Sequence, residues 1–138
     1  MKLIIKIDGF VFRATLLMEH APETCKAVLE RLPIKGTVIQ ARWSGEAVWL
    51  QMDPYGIEAS QENATSYPWP GQILYYPGGV SEKEILIPYG SSCFSSKFGL
   101  LPGNHFATIV EGTENLEPMG QKVLWEGGQN ILIDKANK

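Results

Sequence analysis

The sequence is poor in the residues and patterns that most often announce a function. Two cysteines and two histidines stand among 138 residues, and His20, Cys25, Cys93 and His105 match no compact metal-ligand spacing and no disulfide framework. A metal site is therefore not expected. Lys and Arg form no basic run, and a net charge of -3 offers no face for nucleic acid or an anionic membrane. No apolar stretch approaches the ~20 residues of a membrane-spanning helix, which argues against a membrane protein. The opening "MKLIIKIDGF" is interrupted by Lys6 and Asp8 before it reaches the length of a signal-peptide core. The expected location is cytoplasmic, a reducing compartment in which both thiols stay free, and the sequon at Asn63, Ala64 and Thr65 is read as chance. Gly78, Gly79, Gly127 and Gly128 open no helix after a strand, so they make no phosphate loop. No cofactor is implied.

What is present is a globular composition, 44% hydrophobic and 20% charged, in a chain near the commonest domain length. Residues 1–138 read as one domain. "KLIIKI" and "FVFRATLL" are β-rich runs around Asp8-Gly9, a hairpin signal because both residues tolerate positive φ. "HAPETCKAVLERLP" changes to a helical period, with Pro22 suited to the first turn and Cys25, Val28, Leu29 and Leu32 on one stripe. "GTVIQARW" and "EAVWLQM" read as a second hairpin about Ser44-Gly45, with Arg42 and Glu46 flanking its tip. Residues 53–71 follow neither period and read as an irregular excursion. "QILYYP" and "EILIPY" are further strands around "GGVSEK", followed by a long loop from Pro88 to the strand that opens at His105. "HFATIVEG", "KVLWEG" and "NILID" supply the remaining strands, and "TENLEPMG" reads as one or two helical turns ending at Gly120. About eight short strands with one or two helices make a mostly β fold, a barrel or a sandwich with helical plugs.

"GFVFRATLLMEHAPETCKAVLERLP" resembles the strand-turn-helix opening of the cyclophilins, and "GNHFATIVEGTENLEPMG" resembles their strand and "VEG" turn before a short helix. Read in order, "ARWSGEAVW", "ILYYPGG", "ILIPYG" and "GNHFATIVEG" resemble a family of small bacterial cyclophilin-like proteins of unknown function. A more distant likeness within that fold is to cucumopine synthase, which condenses an amino acid with a keto acid and cyclises the product. The resemblance implies a cyclophilin-like closed β-barrel. The Phe-His-Arg strand and the Gln-Gly-Asp-Phe segment of the prolyl isomerases are missing, so the isomerase role does not transfer to Arg42. Fold by itself does not fix function.

Several residues have the chemistry for a site. Arg42 offers a planar fork of donors to a carboxylate, against the alternative of a surface ion pair with Glu46. Lys97, beside Phe98 in "SSKFG", could serve as a base or imine-forming amine if desolvated, or be an ordinary solvated lysine. Tyr89 could donate a proton or orient a carboxylate. Tyr75 and Tyr76 are neighbours on one strand, so one faces inward and the other outward. His105 could act as a general base near neutral pH, or simply satisfy a backbone group. Cys93 would be a nucleophile only with His105 brought to it in space, and no helix start follows to lower its pKa. The expected catalytic groups are His105, Tyr89, Lys97 and Glu46. The expected ligand-binding residues are Arg42, Trp43, Ser44, Tyr76, Cys93, Phe98 and Asn104, all on one pocket.

These residues suit a small carboxylate-bearing or amino-acid-like metabolite, bound or transformed by cofactor-free condensation, cyclisation or isomerisation. A different class is a noncatalytic interaction module or homodimer using "ILYYPGG" and exposed tryptophans. A residual prolyl isomerase is the third, disfavoured by its missing motifs. The residues do not by themselves decide whether the protein is an enzyme.

Overall fold

Asp8 turns the chain first. It sits at φ 53°, a left-handed conformation that a short polar side chain tolerates, and brings Ile7 opposite Phe10. The computed structural model, which describes residues 1–137, thus opens with the expected hairpin of β1 (Lys2–Ile7) and β2 (Phe10–Leu16). Next is α1 (Pro22–Leu29), with Pro22 in its first turn, where a missing N–H forfeits no helical bond. There follow β3 (Ile34–Gln40), β4 (Gly45–Gln51), β5 (Ala64–Thr65), β6 (Gln72–Tyr76) and β7 (Glu84–Ser92). The chain continues with β8 (Ser95–Ser96), β9 (Gly99–Leu100), β10 (Gly103–Glu111), α2 (Leu116–Glu126) and β11 (Gln129–Lys135).

Strands β2, β1, β11, β3, β4, β7, β6 and β10 are hydrogen-bonded in that order, and β10 pairs again with β2. Every one of these pairings is antiparallel. The fold is therefore a closed eight-stranded antiparallel β-barrel with two α-helices, and closure leaves no free sheet edge in the ring. The short β5 adds to the first residues of β10, at Gly103 and Asn104.

Alternation along each strand sends Ile5, Phe12, Val48, Ile85 and Tyr75 into one continuous core. α1 lies over the barrel where β10 begins, and its Cys25 Sγ donates to the Phe106 carbonyl at 3.3 Å. α2 lies where β10 ends, with Leu116 beside Gly71 and Ile109. This helix corrects two expectations. "KVLWEG" is helical rather than a strand, because Leu116, Met119, Gly120 and Val123 recur at helical spacing and are all buried. Gly120 does not end a helix; it lies inside one, where any Cβ would overlap the ring of Tyr89.

Two loops also differ from expectation. The stretch from Pro88 to His105 is largely sheet: β7 runs to Ser92, β8 and β9 form a small ribbon, and β10 starts at Gly103. Its serines and glycines hide the two-residue period without abolishing it. The hairpin of β3 and β4 has a wider tip than a two-residue turn, since Ala41 N–H donates to Ala47 O at 2.9 Å. The β4–β7 register shifts between Gly45 and Ala47, and among the described residues no ion pair joins Arg42 to Glu46.

Candidate functional site

The strands β4, β7 and β6 are neighbours, with Trp49 opposite Leu86, Leu86 opposite Leu74, and Glu84 opposite Tyr76 and Gln51. Because Ile85, Ile87 and Tyr75 point into the barrel, the same alternation turns Trp49, Glu84, Leu86 and Tyr76 to the outer face. That face is roofed. Phe94 and Leu101, from the segment between β7 and β10, close over it in a second apolar cluster with Ala47, Leu74, Tyr76 and Leu86. The Phe94 ring meets Tyr76 edge-on, 5.7 Å between centroids. The base of the roof is tied down: Cys93 N–H donates to Ser44 O at 2.9 Å, Phe94 N–H to Ser66 O at 2.7 Å and Ser95 N–H to Ser44 Oγ at 3.1 Å. Its tip, carrying Lys97 and Phe98, reaches past the cluster.

A cavity of about 470 Å³ lies between this tip, the Trp43 turn and the loop after β6; it is lined by Trp43, Trp49, Val80, Ser81, Glu82, Glu84, Ser96, Lys97 and Phe98. Trp43 and Trp49 form a T-shaped pair, 5.7 Å between centroids. Lys97 Nζ stands 5.3 Å from the Phe98 ring centre. Glu84 is only 3% exposed. Burial first, and the Glu82 charge second, push its carboxyl up to about 8. Glu82 itself is exposed and held below the usual carboxylate range, first by its own backbone N–H, then by the Ser81 hydroxyl, with a smaller contribution from Lys97.

Glu84 Oε2, Trp49 Nε1 and Ser92 Oγ are buried and have no hydrogen-bond partner, and the first two belong to residues that line the cavity. Buried polar atoms are nearly always paired, so two orphans on one cavity wall are the pattern expected where the partner comes from outside the chain. The larger concavity, about 700 Å³ over β1, β11 and β3 and bounded by Lys6, Asp8, Lys35 and Gln129, contains none of the orphaned atoms. Among the described residues, no group of three or more His, Cys, Asp or Glu could hold a metal ion, and no helix is long and apolar enough to cross a membrane.

The structure distributes the expected site residues over several places. Trp43, Lys97 and Phe98 line the cavity. Tyr76 lies under the roof, its hydroxyl oxygen accepting the Val80 N–H at 3.0 Å. Ser44 anchors the roof, and Cys93 Sγ is 3.5 Å from Ser95 Oγ. Arg42 is exposed on the turn and does not line the cavity. Glu46 Oε1 accepts the Ser91 N–H at 2.8 Å, which occupies it in shaping the β7 end. Tyr89 points into the barrel and donates to Gln40 Oε1 at 2.9 Å, with burial raising its hydroxyl pKa. His105 Nε2 is 2.8 Å from Thr108 Oγ1 on its own strand, and burial lowers its imidazole pKa. Asn104 is wholly buried, donating to Thr24 Oγ1 at 3.0 Å and Ser60 O at 2.9 Å while its Oδ1 accepts the Glu62 N–H at 3.1 Å.

Of the four expected catalytic groups, only Lys97 reaches the cavity. Strand alternation sends Tyr89 inward. "ILYYPGG" cannot form a partner surface through Ile73, Leu74, Tyr75 and Tyr76, all of which are buried. Glu84 was the group the sequence reading missed. Its signal was the alternation in "EILIPY", which places Glu84 in phase with Leu86 and out of phase with the core residues Ile85 and Ile87.

A family model described as a protein of unknown function, DUF3830, matches residues 3–134. No curated protein sequence matches the chain. Among solved structures, McbB in complex with tryptophan is similar with a TM-score of 0.73 at 17% identity, covering 99% of this chain and 45% of McbB. The chain thus spans less than half the length of that protein. The hypothetical protein AF2241 from Archaeoglobus fulgidus, a solution structure, is similar with a TM-score of 0.68 at 24% identity, covering 99% of this chain and 95% of its own. At these identities the likeness is one of fold.

Proposed function

The chain belongs to the DUF3830 family, whose function is unknown, and we propose that its outer-face cavity binds a small carboxylate-bearing, amino-acid-like metabolite on which Glu84 acts as the acid–base group. We read the whole chain as one cyclophilin-like domain, a reading supported by the closed barrel with a helix packed at each end of β10. The observation that carries the functional reading is the pair of unpartnered buried atoms, Glu84 Oε2 and Trp49 Nε1, on the wall of one open cavity.

Each wall has a role in this reading. Trp43, Trp49 and Phe98 hold the apolar body of the ligand and displace water from it. Trp49 Nε1 donates to a ligand oxygen, and the Lys97 ammonium meets the carboxylate. Glu84, lifted to about 8, holds a proton at neutral pH and is close enough to that pH to give it up and recover it, the requirement for general acid–base work. An isomerisation, or a condensation with cyclisation, needs such a group. McbB, a protein of similar fold, was solved with tryptophan, which supports an amino-acid-like ligand.

The test is a fluorescence titration of the purified protein with aromatic amino acids and keto acids, since Trp43 and Trp49 report on the cavity. Saturable quenching together with a raised melting temperature is expected, and Glu84→Gln should bind while losing any turnover. No response to any member of the panel would overturn the reading. A second reading, a protein-interaction role, draws on Trp69 and Trp125, which are 74% and 77% exposed away from the cavity. That outcome of the titration would favour it.

A further inference from the structure

Beside the cavity at Glu84 is a second concavity of about 380 Å³, which lies over Tyr76 and is bordered by Pro77, Gly78, Gly79, Leu101 and Pro102. The two share Val80 and Phe98. Both shared residues are apolar yet 59% and 65% exposed, and Leu100, on the far side, is 52% exposed. Water-facing apolar side chains gathered at the rim of a groove are more often functional than scattered ones. Each shared residue sits on a tip shaped by a neighbouring glycine, Gly79 at φ 119° and Gly99 at φ 109°, conformations that other residues rarely adopt. The bases of both tips are fixed, by Val80 N–H to Tyr76 Oη at 3.0 Å and by Leu101 N–H to Phe94 O at 3.0 Å.

The two halves differ in chemistry. The first carries Glu82, Glu84 and Lys97. The second carries no charged side chain, and its polar side chains are Gln61 and the Tyr76 phenol, whose oxygen is already engaged by Val80. A charged group would lose hydration there and meet no opposite charge, whereas an apolar one would lose nothing.

We infer that the second concavity is a subsite for an uncharged apolar tail carried by the same ligand whose charged head meets Glu84 and Lys97. The inference rests on the proposed acid–base cavity and narrows its substrate class to carboxylates or amino acids with an extended apolar tail. Val80 and Phe98 then set the specificity, because the tail must pass between them.

The test is calorimetric titration with phenylacetate, 4-phenylbutyrate and 6-phenylhexanoate. Affinity should rise about tenfold once the tail is long enough to pass Phe98. Gln61→Trp and Leu100→Trp, at two exposed positions on the wall of the subsite, should each abolish that rise while leaving phenylacetate within about twofold of wild type. Measurable binding that stays flat along the series overturns the subsite and leaves the acid–base cavity standing. So does a rise that survives in both variants. Absence of binding for every probe overturns both.

Discussion

Replacing Glu84 by Gln removes one titration from the folded protein while nearly keeping its shape, which makes the burial of this carboxyl measurable as stability. In the folded chain its pKa is raised from 4.5 to about 8, with burial the first cause. Between those two values the folded state holds a proton that the unfolded state has released. Stability therefore falls as pH rises through this window and levels off above about 8. Each pH unit is worth about 1.4 kcal/mol, so the whole window amounts to a loss of about 5 kcal/mol, of which about 4 falls between pH 5 and pH 9, a large fraction of what holds a domain folded. The assay is urea unfolding of wild type and Glu84→Gln at pH 5 and pH 9, comparing the change in each. Wild type should lose on the order of 4 kcal/mol more than the variant over that interval. Parallel losses in the two proteins would refute the reasoning, because Gln does not titrate and any shared slope must come from other groups.

Gly120→Ala should destabilise the protein by about 1–3 kcal/mol in urea, because the new methyl meets the Tyr89 ring; an unchanged midpoint would mean that the helix can shift away. Lys97→Ala should weaken phenylacetate binding roughly tenfold at low salt and leave the melting temperature of this exposed position unchanged, and equal affinity would remove Lys97 as the counter-ion. Tryptamine, which brings an ammonium group to the cavity, should release a proton on binding at pH 7, because a cation beside Glu84 favours its ionised form. Binding enthalpies that do not vary with the ionisation enthalpy of the buffer would contradict it.

The parts of the fold that were legible in the sequence are those set by local chemistry. Asp8-Gly9 specified its hairpin, and Pro22 with the Cys25–Val28 stripe specified α1, because turn geometry and helical period act within a few residues. α2 was lost at Gly120, which looks like a stop signal but answers to Tyr89, a residue on a distant strand. The site shows the same division. Trp43, Lys97 and Phe98 were visible as unusual residues in turns, and they do line the cavity. Whether Tyr89, Glu46 and His105 joined them depended on strand facing and on bulges, such as the shift between Gly45 and Ala47, and one extra residue reverses every side chain beyond it. Glu84 read only as the first residue of the strand "EILIPY", and its burial depends on strands distant in sequence, which place Tyr76 and Gln51 on either side of it.

The pairing of β1 with β11, Leu3 opposite Lys135 and Ile7 opposite Ile131, sets the order in which this molecule can assemble. The first hairpin leaves the ribosome with one side of β1 unsatisfied, and the strand that satisfies it is synthesised after every other element of the ring. Until residues 129–135 arrive, the growing chain is an open sheet with adhesive margins, the state in which nascent β proteins are most prone to associate. Such long-range pairing also makes folding slow, because most of the chain must be gathered before the last strand is rewarded. The same geometry protects the finished protein: withdrawing one strand from a ring uncovers the flanks of two others, so β11 acts as a latch, and the molecule resists fraying until it opens as a whole.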